Sequence, residues 1–161
     1  MPNLSTSGRR QALAVLLCLS ACSEESVMTE TEVAGANKAA VLRMFDECFN
    51  GGRDHVLREL IAPEFVNTFT GIRGPEGMAS GAEFLRETFA APRFVVEDVV
   101  AEGDRVAVRW TLHGRHVGPF RGAPPSGEPT VMPALSLYRM VDRKIAESWV
   151  QSGPLQPGGA S

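Results

Sequence analysis

The sequence predicts an α+β domain in which helices come first and a curved antiparallel sheet is laid over them. Three observations carry this. Apolar residues recur with a helical period through Phe89 and with a period of two after Pro92. Hairpin-type turn residues, Glu102-Gly103-Asp104 and Asp142-Arg143, separate the later segments. A chain of 161 residues with 43% hydrophobic content has room for one domain with a real core, but hardly for two.

The first segment, residues 1–21, reads as an export signal: a polar start ending in Arg9-Arg10, then the apolar run "ALAVLLCLSA". That run is about half of the ~20 residues a membrane-spanning helix needs. It ends in "LSAC", Leu19 to Cys22, which resembles a bacterial lipobox, so Cys22 is expected to carry a diacylglycerol and to begin the mature chain; an ordinary cleaved signal is the plainer alternative. The expectation is a bacterial lipoprotein exported from the cytoplasm and held on a membrane of the cell envelope. Cleavage removes Arg9 and Arg10 from the 16 basic residues and none of the 19 acids, leaving a mildly acidic domain. Cys18 leaves with the signal and Cys22 is modified, so Cys48 is left without a disulfide partner. Residues 22–36 then read as a flexible tether.

From Asn37 the period is helical, with Val41, Phe45, Cys48 and Phe49 on one face until Asn50-Gly51-Gly52 stops it. Asp54 caps a short second helix, "HVLREL", which Pro63 ends. "EFVNTF" reads as a strand. A third helix starts at Pro75 and turns Phe84, Leu85 and Phe89 inward. Two strands joined at Glu102-Gly103-Asp104 follow, the second with Val106, Val108, Trp110 and Leu112 on one face and Arg105, Ala107, Arg109, Thr111 and His113 on the other. "TVMPALSLYRMV" and "KIAESWVQSG" complete the sheet, and residues 153–161 read as a disordered tail.

The pieces "GGRDHVLRELIAPEFVN", "VVEDVVAEGDRVAVRWTLHGRHVGPFRGAPPSG" and "LYRMVDRKIAESWV", taken in this order, resemble the SnoaL-like polyketide cyclase, or ester cyclase, family. The resemblance spans residues 37–152. It implies the cone-shaped fold of the nuclear transport factor 2 superfamily, a pocket between helices and concave sheet face, a homodimer built through the sheets, and chemistry without a cofactor. The family's cyclases close a ring by intramolecular aldol addition, which needs a base, usually a carboxylate, and an acid. Family members often carry an aspartate where this chain has Ser136, and His-Trp-Asp where it has Ser148-Trp149-Val150. Phe120 and Pro124-Pro125-Ser126-Gly127 resemble the family's aromatic residue and "PPTG" turn.

Strand parity places His116 on the same face as Val106 and Trp110, pointing into the cone, and His113 on the opposite face. An imidazole there suits acid–base work near neutral pH; the plainer alternative is a rim histidine bonded to the next loop. Asn67, Val108, Trp110, Phe120, Ser136, Tyr138 and Ser148 are the expected ligand contacts. Trp149 is a further candidate for the apolar lining, and Arg109, Glu147 and Gln151 are nearby polar residues. His113-x-x-His116 does not have metal-site spacing, so no metal is expected. The net charge of −3 and the absence of a long Lys/Arg cluster argue against a nucleic-acid partner. The expected function is binding of a small apolar ligand, with cyclase-, isomerase- or dehydratase-type chemistry through His116. The alternative is a non-catalytic ligand-binding or assembly module of the cell envelope.

Overall fold

The computed structural model describes residues 28–158. The signal segment, Cys22 and the end of the tail lie outside the described residues.

Helix α1, Glu30–Arg43, begins seven residues ahead of the start that periodicity suggests, so residues 30–36 of the expected tether are helical. The cause is a reciprocal cap: Thr29 Oγ1 accepts from the Glu32 amide, and the Glu32 carboxylate accepts from the Thr29 amide at 2.8 Å. The helix continues as a wider π-helical turn over Met44–Asn50, which seats Met44, Phe45 and Cys48 in the core. Burial pushes the Cys48 thiol up to about 11, leaving it uncharged and unreactive at neutral pH. Asn50 then docks this end on the sheet, donating to the Phe94 carbonyl at 2.9 Å and accepting from the Phe94 amide at 2.8 Å.

A 3-10 turn, Asp54–Val56, and the one-turn α2, Leu57–Leu60, bury Val56, Leu57 and Leu60. Pro63 does not stop the chain from pairing. It sits exposed within β1, Ile61–Asn67, at the edge of the sheet beside β5, and on an edge a missing N–H costs no ladder bond. Helix α3, Gly74–Thr88, runs back across the sheet. Phe84 on this helix is exposed, contrary to the inward placement expected, while Leu85 is half-buried. Phe89 is buried as the first residue of β2 rather than as the last of the helix.

Strands β2 (Phe89–Glu102), β3 (Arg105–His116), β4 (Pro129–Val141) and β5 (Lys144–Ser152) form an antiparallel meander in the order β5-β4-β3-β2. β1 pairs with β5 in parallel, so the curved sheet is mixed and not purely antiparallel as the sequence suggests. A sixth strand, Gln156–Pro157, lies in the segment read as a tail; its backbone pairs with Thr130 and Val131 of β4, which extends past the end of β5 and offers free ladder groups there.

The core lies between α1, α2 and the concave sheet face, with Phe45, Phe65, Ile61, Leu57, Val106, Val108 and Ile145 fully buried. The convex face carries Leu135, Leu137 and Trp149, all partly exposed. The chain leaves β3 at Gly118, whose approach to α3 admits no side chain: a Cβ there would lie 2.9 Å from both the Glu87 carbonyl oxygen and Thr88 Cα.

Candidate functional site

A cavity of about 370 Å³ opens between α3 and the concave face. α3 supplies Met78, Ala82, Phe84 and Leu85; the end of the π-helical turn supplies Phe49; the loop after β1 supplies Phe69, Thr70 and Ile72. The sheet supplies the opposite wall. Of the sequence-predicted contacts, Asn67, Trp110, Phe120, Ser136, Tyr138 and Ser148 line this cavity together. Val108 does not: it is fully buried beneath the lining, because its neighbours on the inner face leave it no free surface. Trp149 points to the outer face, where the Arg105 guanidinium lies 5.6 Å from its ring centre. Arg109 and Glu147 are likewise engaged away from the cavity, with Glu97 and Arg139 respectively, and Gln151 is exposed.

The polar lining is built by register. Asn67 pairs with Ser148 across β1 and β5, and Ser148 pairs with Tyr138 across β5 and β4, so three polar side chains stand side by side on neighbouring strands. Ser136 lies two residues from Tyr138 on the same face. Its hydroxyl accepts a buried hydrogen bond from the Trp110 indole N–H at 2.9 Å. Ser148 Oγ is fully buried and has no hydrogen-bond partner among the described residues. Asn67 is largely occupied with the chain itself, its Oδ1 accepting from the amides of Phe69 at 3.0 Å and Thr70 at 2.9 Å.

The walls are aromatic. Phe49 and Phe94 stack with ring centres 5.0 Å apart, Trp110 lies 5.5 Å from Phe94, and Phe84 stacks 6.4 Å from Phe120 at the mouth. Among the described lining residues the titratable groups are Tyr138 and Arg121. Burial pushes the Tyr138 hydroxyl up to about 12, the Ser136 hydroxyl opposing this in part, so it is a protonated hydrogen-bond donor at neutral pH and not a base. Such a surface can hold and orient an apolar molecule carrying a carbonyl or hydroxyl. Neither a carboxylate nor an imidazole is among its described lining groups.

His116 is buried on the inner face, as strand parity requires. It does not line this cavity. Its ring packs 5.8 Å from that of Phe89, and its Nδ1 lies 3.4 Å from both the amide and the hydroxyl of Ser126 in the Pro-Pro-Ser-Gly turn. The same turn donates the Gly127 amide to the His116 carbonyl at 2.8 Å. Nε2 is buried and unpartnered. His116 opens instead onto a neighbouring groove with Ser126, Glu128 and Thr130. Sequence reasoning missed Arg121, Met78, Ala82 and Ile72 as lining residues; Phe49 carried a visible helical period that marked it only as core.

A family model described as SnoaL-like polyketide cyclase matches residues 39–155. Aklanonic acid methyl ester cyclase AcmA of Streptomyces galilaeus is 36% identical over 112 residues, covering 66% of this chain and 77% of the relative. Nogalonic acid methyl ester cyclase of Streptomyces nogalater is 35% identical over 104 residues, covering 62% and 78%. Among solved structures, a SnoaL-like polyketide cyclase from Jannaschia sp. CCS1 is similar at 30% identity and a TM-score of 0.68, covering 78% of this chain and 91% of that one.

Replacing Ser136 tests the floor of the cavity. Ser136→Ala leaves the buried Trp110 N–H without its acceptor and is expected to cost about 1–3 kcal/mol, read as a lower urea midpoint with an unchanged slope; an unchanged midpoint removes the bond from the structure's support.

Proposed function

The chain belongs to the SnoaL-like polyketide cyclase family and has its α+β, nuclear transport factor 2-like fold, and on that premise we propose that it binds a small, flat, largely apolar molecule of polyketide type at the cell envelope. The cavity carries this reading: about 370 Å³ walled by aromatic and aliphatic side chains, with the hydroxyls of Ser136, Tyr138 and Ser148 on the sheet wall and Arg121 as the charged group among the described lining residues. An apolar wall favours transfer of a ring system out of water, and a few hydroxyls fix its orientation. The relatives named above are cyclases of polyketide methyl esters, which fits a ligand of this shape.

A second reading, cyclase-type acid–base chemistry at His116, draws support from the family membership and from the buried, unpartnered Nε2. Catalysis asks His116 to reach a substrate from beside the cavity rather than from its wall. In the envelope reading the anchor is a lipid on Cys22, and several acyl chains on one residue hold a protein where a single chain binds only marginally. The partly exposed Leu135, Leu137 and Trp149 support a second copy of the chain as the occupant of the convex face.

Three measurements test these proposals. Incubated with aklanonic acid methyl ester, the purified chain is expected to bind the compound and return it unchanged; ring closure that disappears in His116→Ala establishes the catalytic reading instead. Cys22→Ala is expected to move the protein from the membrane to the soluble fraction, and continued membrane association in that variant removes the anchor. Leu137→Glu is expected to shift sedimentation from dimer to monomer without altering the circular dichroism; a wild-type monomer at micromolar concentration rules the dimer out.

A further inference from the structure

Arg121 stands at the mouth of the cavity on a support built for it. Phe120 and Ala123 exchange both backbone hydrogen bonds, at 3.0 and 2.9 Å, so Arg121 and Gly122 are the two central residues of a tight hairpin turn. Both have positive φ, +50° and +81°. Glycine or asparagine adopts that conformation at least cost, and an arginine in the first position accepts local strain. Its guanidinium lies over the Phe120 ring, 5.1 Å from the centre, and donates to Ser152 Oγ at 2.6 Å and to the Gly153 carbonyl at 3.4 Å. Those contacts use part of a group with five N–H donors, and no carboxylate among the described residues lies within ion-pairing distance of it. The charge is held in place and left unneutralised beside an apolar cavity.

At the buried side of the same cavity the Ser148 hydroxyl is unpartnered. One end of the lining therefore offers a fixed cation and the other a buried, unpartnered hydroxyl, with aromatic walls between.

Resting on the ligand reading above, we propose that Arg121 is a specificity residue that receives a carboxylate on the outer end of the ligand, while Ser148 hydrogen-bonds a carbonyl or hydroxyl on its inner end. The cavity thus selects a free acid. The relatives are named for methyl esters, in which that charge is absent. A planar guanidinium suits two-point recognition of a carboxylate.

The test titrates the protein with two probes of one shape, anthraquinone-2-carboxylate and 2-(hydroxymethyl)anthraquinone, following tryptophan fluorescence at pH 7. The wild type is expected to bind the acid about tenfold or more tightly than the alcohol, and Arg121→Gln to abolish that preference, its loss falling mainly on the acid. Ser148→Ala is expected to weaken both probes alike. Equal binding of the two probes by the wild type, or a preference that survives Arg121→Gln, overturns the proposal and leaves the ligand reading standing. Failure of both probes to bind overturns the ligand reading, and the proposal with it.

Discussion

A β-strand sends successive side chains to opposite faces however far its sheet is bent, and the rest of this structure depends on that constraint. β3 and β4 lie in unbroken register from Arg105 opposite Arg139 to Arg115 opposite Pro129. One face of the pair is therefore committed along its whole length: Val106, Val108, Trp110, Leu112 and His116 on one strand, Met132, Ala134, Ser136, Tyr138 and Met140 on the other, all buried. Register irregularities fall in the other pairings, twice between β2 and β3, once between β4 and β5 at Arg139–Met140, and once between β1 and β5, and none interrupts the pairing of β3 with β4. A slip of one residue on β4 would put Leu135 and Leu137 inside and Ser136 and Tyr138 in water.

The same constraint explains how polar atoms come to line an apolar cavity at tolerable cost. Trp110 must bring its indole N–H inside along with its ring, and a buried donor needs an acceptor. Ser136 meets that need from the adjacent strand. A carboxylate in its position would have to be desolvated in the same place, beside Tyr138. Hydroxyls avoid that cost, and they also give up the strong proton acceptor that aldol chemistry uses. The Tyr138 hydroxyl, held well above its ordinary range by burial, cannot stand in for it.

Period-two alternation made most of the sheet legible in the sequence, since it reports facing directly. The inward set of β3 follows from parity and the two hairpin turns from their turn residues, while Phe120, Ser136 and Ser148 were marked by the family resemblance. What escaped it has specific causes. The start of α1 rests on the Thr29–Glu32 cap rather than on apolar period, and its first turns are half-exposed or exposed. Pro63 reads as a breaker unless the strand is known to be an edge, which is a property of the whole sheet. Val108 and Trp110 share a face and a parity, and only the packing of α1 and α3 against that face decides which of them meets the cavity. Trp149 was assigned by residue type, whereas its parity with Ser148 already sends it outward. Arg121 belongs to a two-residue turn that resembles any polar loop until its backbone angles are known.

His116 marks where parity stops being informative. It faces inward as β3 requires, yet the wall it reaches is closed off from the main cavity, with Phe89 against its ring and Phe120 in turn packed on Phe89 at 5.5 Å. The Pro-Pro-Ser-Gly turn folds back on it from the other side, its proline-restricted backbone carrying the Ser126 amide and hydroxyl to Nδ1. Strand geometry thus decides the direction of the imidazole, and the loop that follows decides its surroundings. Two residues of one strand, Trp110 and His116, can share a face and still belong to different hollows, because an inserted aromatic side chain divides the concave surface between them.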